Sequence, residues 1–159
     1  MKKLFITAAI ATMFSVTAFA AKGGKTTVTT GEDKISYTVL NQFNAEFKGA
    51  KDAAWTVTPN CEKVTFTLAG VQTTAFYDLA GEYLGATQTI GFKDIPFSAQ
   101  EDITAKYAGY AVKEVIKYES NGNPDVSPVA YFVDVQKAGS ELLVKVIPGE
   151  KIALFKTIK

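Results

Sequence analysis

The chain has 159 residues, 47% of them hydrophobic and 21% charged, with a formal net charge of +1. That is the make-up of a globular protein, with no basic or acidic field to attract nucleic acid. Histidine and arginine are both absent and Cys61 is the single cysteine, which excludes Ser-His-Asp or Cys-His machinery, His-ligated metals, guanidinium clamps on phosphate and an internal disulfide.

In chain order, Met1-Lys2-Lys3 is a short basic start, Leu4 to Val16 is mostly apolar, and Ala18-Phe19-Ala20 fits the small-x-small rule of signal peptidase. Residues 1–20 therefore read as a Sec-type signal cleaved after Ala20, placing the mature chain in the periplasm or outside the cell. The apolar run is shorter than the ~20 residues of a spanning helix, so no stable membrane anchor is expected. Cleavage removes two lysines and leaves 15 against 16 acidic residues, a charge of −1. Residues 21–33, rich in Gly, Lys and Thr, read as a flexible leader.

A first helix is predicted from Ile35 to Lys48, where Leu40, Phe43 and Phe47 form an apolar stripe. Alternation then predicts strands at Ala53–Val57, Val64–Leu68, Gln72–Leu79 and Glu82–Ile90. A second helix follows Ile95-Pro96, with Ser98 and Glu101 in capping-box spacing and Ile103 and Tyr107 on its apolar side. Strands are expected near Ala111–Glu119, Val129–Lys137, Glu141–Ile147 and Lys151–Ile158, with the longest loop of this half at Asn121–Asp125.

The halves also match in sequence. Asn44–Gly49 aligns with Thr104–Gly109, Leu79–Glu82 with Ile147–Glu150, and Gln88–Ile90 with Lys156–Ile158. The expected fold is thus α+β, a tandem duplication of a helix plus a four-stranded antiparallel sheet. Residues 34–92 and 93–159 would form the repeats of one combined domain, with helices on one sheet face and the other face open.

Several motifs resemble the PepSY-like, β-lactamase-inhibitor-like family of small exported bacterial proteins: Gly49 to Trp55, Val64 to Phe66, Phe76 to Leu84, and Ile95-Pro96 before a helix ending Lys106-Tyr107. The resemblance covers about Val39 to the C-terminus. It implies helices packed on one face of an antiparallel sheet, and binding or inhibition as activity. The disulfides of true β-lactamase inhibitor proteins have no counterpart here, and no inhibitory loop matches residue by residue.

No constellation points to catalysis, and no cofactor or metal is expected. Cys61 sits in a Pro-Asn-Cys-Glu turn with no base to activate it. Glu101-Asp102 suit the start of a helix, Asp78 suits a Gly turn, and Asp33, Asp125 and Asp134 lack calcium-loop spacing. Alternation assigns Val64, Phe66, Leu68, Phe76, Leu84 and Ala86, with Val129, Tyr131, Val133, Val144, Ile152 and Leu154, to the face under the helices. The opposite parity carries Trp55, Tyr77, Tyr83, Phe132 and Phe155, with Thr65, Thr67, Thr87, Asp134, Lys145 and Lys151. Those five aromatics are the candidate partner-binding residues. The expected function is a non-catalytic module that recognises an envelope or extracellular protein or peptide through this face. The alternative is a carrier or sensor of a small apolar ligand, which needs a pocket of a few hundred Å³. Exposed sheet edges also allow a homodimer.

Overall fold

The computed structural model describes residues 29–31, 35–59, 61–122 and 127–159. The export signal and its cleavage point, most of the leader and the middle of the Asn121–Asp125 loop lie outside them. The described chain is α+β and divides into two compact units, the first ending at Ala86 and the second spanning Thr87–Lys159.

In the first unit, β1 (Thr29–Thr30) is followed by α1 (Tyr37–Glu46), β2 (Lys51–Val57), β3 (Glu62–Leu68) and β4 (Val71–Tyr77). The strands pair antiparallel in chain order. Thr29 and Thr30 fall in the expected leader. Their pairing with Val57 and Thr56 makes them part of the sheet instead. Ser36 caps α1, its hydroxyl accepting from the Val39 N–H at 3.3 Å. Val39 and Phe43 are the buried stripe, and they pack onto Trp55, Val64, Phe66, Ala75 and Tyr77. Phe43 meets both Trp55 and Phe66 edge-on, at centroid distances of 5.2 and 5.0 Å, the arrangement that the ring quadrupoles favour.

The register of this sheet is fixed by its tightest turn. Ala69 and Gly70 both have positive φ, 50° and 82°, as a two-residue hairpin turn compatible with strand twist requires. That turn sets Phe66 opposite Thr73, Val64 opposite Ala75 and Glu62 opposite Tyr77. Ala75 and Tyr77 therefore lie under α1, and Phe76 on the other face.

The strand β5 (Tyr83–Ile90) contains the last residues of the first unit and the first residues of the second. After a 3-10 turn at Phe92–Asp94, the second unit contains α2 (Phe97–Lys106), β6 (Ala111–Ser120), β7 (Val129–Lys137), β8 (Ser140–Val146) and β9 (Ala153–Thr157), with β6 to β9 antiparallel in chain order. The expected Ser98 cap does not form. Pro96 occupies the cap position, Ser98 lies inside the first turn, and no side chain caps the helix. Proline's fixed φ starts the helix two residues early, and Gln100 Nε2 reaches back to donate to the Ile95 carbonyl at 2.9 Å. Ala99, Ile103 and Tyr107 pack onto Val115, Val133, Val135, Val144, Val146 and Ile152. Leu154, expected in this core, is exposed. It lies opposite Val144 on the outermost strand of the unit.

The exits of the two helices are built alike. Phe47 N–H donates to Phe43 O and Tyr107 N–H to Ile103 O. Gly49 and Gly109 follow at φ +87° and +82°. The next strand is bulged in each unit, between Lys51 and Ala54 and between Val112 and Glu114.

Candidate partner-binding face

The five candidate aromatics separate into two groups. Trp55 and Tyr77 are almost wholly buried in the cluster beneath α1, and Tyr83 is half-buried against the same cluster. The rings touch one another: Trp55 to Tyr77 at 6.4 Å and Tyr77 to Tyr83 at 5.5 Å. Burial holds the Tyr77 phenol well above the usual tyrosine range, with the Glu46 charge adding to the effect. The parity expected for Trp55, Phe76 and Tyr77 is therefore reversed, because the Ala69-Gly70 turn and the β2 bulge set a register that simple alternation cannot give. Trp55, Tyr77 and Tyr83 are helix-face packing, and the first unit's other face instead carries Phe76 with Thr65 and Thr74, whose hydroxyls meet at 3.0 Å.

Phe132 and Phe155 lie elsewhere. Phe132 alternates with Val133 on β7, so it points away from α2. Its ring meets Phe155 of β9 edge-on at 5.0 Å. Register adds neighbours on the same face: Ile116 and Lys145 opposite Phe132, Tyr118 opposite Ala130, and Leu143 opposite Asp134. Ile116, Tyr118, Phe132 and Leu143 are buried, yet none belongs to the cluster under α2. The second unit therefore has two apolar sheet faces, one packed against its own helix and one that is buried without contact to that helix. Sequence reading placed Phe132 and Phe155 on this face but left out Ile116, Tyr118 and Leu143.

A charged cluster adjoins these rings. Asp134, expected on a solvated surface, is only 1% exposed. Lys113 Nζ lies 2.7 Å from Glu141 Oε1 and 3.5 Å from Asp134 Oδ2. Burial, reinforced by the Glu141 charge, pushes the Asp134 carboxyl up to about 6. The Lys113 hydrogen bond holds Glu141 below the usual carboxylate range. The opposite directions of these shifts make Asp134 the member of the pair that takes a proton first.

The remaining sequence candidates are structural where the description reaches them. Asp78 Oδ1 accepts from the Ala80 and Glu82 N–H groups at 2.9 and 2.8 Å, closing its turn. Cys61 is a buried free thiol with Thr58 Oγ1 3.3 Å from its sulfur. A cleft of about 110 Å³ beside the end of α2 is lined in part by Ile103, Tyr107, Tyr110 and Val135. That is well below the roughly 300 Å³ of a small-molecule pocket. Among the described residues, no helix is long and apolar enough to cross a membrane.

No family model matches this sequence, and no curated protein does. Solved structures do match. A DUF2874 family protein from Bacteroides uniformis superposes with a TM-score of 0.69 at 16% identity, over 78% of this chain and 90% of that one. A BLIP-like protein from Bacteroides fragilis gives 0.66 at 14%, over 77% and 86%. The chain shares their fold. A third protein of this fold, from Bacteroides eggerthii and provisionally described as periplasmic, gives 0.68 at 13% identity, over 77% and 88%.

Proposed function

We propose that this chain is an exported, non-catalytic binding module that recognises a protein or peptide through the sheet face of its second unit opposite α2. The observation that carries this reading is the half-buried Phe155 ring, edge-on to Phe132 on a face that α2 does not cover, over a packed layer of Ile116, Tyr118, Phe132 and Leu143. Adjoining aromatic and aliphatic side chains with charged groups beside them are the chemistry of an interface centre and its rim. Export is supported by the Met1–Ala20 pattern and by the periplasmic description of one protein of the same fold. Binding as the activity is supported by the fold shared with a BLIP-like protein.

The same reading takes the two units as copies of one helix-and-strand motif. The matched helix exits, positive-φ glycines and bulges support it, as do the ordered sequence matches. The motifs from Gly49 to Trp55 and from Phe76 to Leu84 support a PepSY-like kinship. We place any pairing of two copies at the outer strand β9.

The test uses the chain beginning at Ala21 and a random-peptide library displayed on phage. Peptides selected on it are expected to lose affinity on Phe155→Ala by about thirtyfold, the loss of 2 kcal/mol typical of an interface aromatic. A library that yields no binder, or binders indifferent to Phe155→Ala, contradicts the proposal.

A further inference from the structure

Lys113 is the extra residue of the β6 bulge: Val112 faces Val135 and Glu114 faces Asp134, and nothing faces Lys113 between them. A bulge re-aims a side chain, and this one sends the Lys113 ammonium to two carboxylates on the face away from α2. Its reach is incomplete. Asp134 Oδ1 is buried and has no hydrogen-bond partner among the described residues. A buried oxygen without a partner is costly, and more so on an ionised group. The Lys113 side chain is 45% exposed, so the cation that covers the pair is also the one free to swing into water. Two carboxylates against one ammonium leave the cluster one negative charge in excess.

We infer that Asp134 and Glu141 form a subsite for a lysine or arginine side chain of the partner, occupied in the free chain by Lys113. The inference rests on the binding face proposed above and names what that face selects. Phe132 and Leu143 flank Asp134 on the sheet, and the aliphatic stem of the incoming residue takes the place of the half-exposed Lys113 stem. A guanidinium or ammonium that displaces Lys113 satisfies Asp134 Oδ1 with a charge-assisted hydrogen bond. The charged groups facing Asp134 are Lys113 and Glu114 from β6 and Glu141 from β8, with Lys145 beside Phe132 and Lys159 acting on Glu141.

The test uses the library-selected peptides. They are expected to carry a Lys or Arg beside apolar residues. Synthetic copies with that residue replaced by norleucine should bind about tenfold more weakly or worse. Asp134→Asn should cause the same loss, and Lys113→Met should strengthen binding by removing the competing cation. Affinity of the wild-type chain should fall between about pH 7 and about pH 5 as the buried carboxyl takes up its proton. Peptides that depend on Phe155 but show no basic preference and no loss on norleucine substitution overturn the subsite and leave the face intact. Peptides that do not depend on Phe155 overturn the face itself. A Lys113→Met chain that binds more weakly overturns the displacement, because the ammonium would then contact the partner. If Asp134→Asn unfolds the chain, the norleucine comparison on the wild type decides alone: a tenfold loss supports the subsite and unchanged affinity overturns it.

Discussion

Tyr77→Ala is expected to destabilise the protein by about 3–5 kcal/mol, the cost of emptying a fully packed aromatic site. The side chain is completely buried and contacts Trp55 and Tyr83 beneath α1. Urea unfolding monitored by circular dichroism measures the loss. Tyr77→Phe separates ring from hydroxyl. The phenol oxygen has no hydrogen-bond partner among the described residues, so removing it should be neutral or stabilising by about 1 kcal/mol. A Tyr77→Ala chain within about 1 kcal/mol of wild type would return this residue to a solvated face.

The second large effect is expected in the other unit. Ile103→Ala should cost about 2–5 kcal/mol, because Ile103 is the buried centre of the α2 stripe, among Ala99, Tyr107, Val115 and Val133. Thr104, one position along, is the internal control. Its hydroxyl bonds back to the Gln100 carbonyl at 2.7 Å on an exposed surface, and Thr104→Ala should stay within about 0.5 kcal/mol. Equal losses for the two variants would place the wrong face of α2 against the sheet.

These residues also mark how far the sequence could be read. Both helices were legible, since Phe43 and Phe47 recur at helical spacing and Ile103 and Tyr107 do the same. The parity of β3 was legible, with Val64 and Phe66 inward as their alternation indicates. The parity of β4 was not, because Phe76 and Tyr77 are adjacent aromatics and either could face inward. The deciding signal was the Ala69-Gly70 pair, which reads as a two-residue turn and fixes Thr73, Ala75 and Tyr77 as the inward set. The face of Trp55 escapes simple alternation for a related reason. The bulge between Lys51 and Ala54, with Asp52 at φ 56°, breaks the count along β2. The acid–lysine cluster was invisible as a motif. Lys113, Asp134 and Glu141 come from three strands, and only register brings them together.

The central claim is that partners dock on the face of Phe132 and Phe155 and not on the face of Trp55 and Tyr77. It is tested most directly by mapping backbone amide chemical shifts of the isotope-labelled chain while a library-selected peptide is added. The account predicts that the largest shifts fall on Ile116, Phe132, Asp134, Leu143 and Phe155, with Val39, Trp55 and Tyr77 nearly unmoved. Shifts centred on α1, Trp55 and Tyr77, with Phe132 and Leu143 silent, would contradict it.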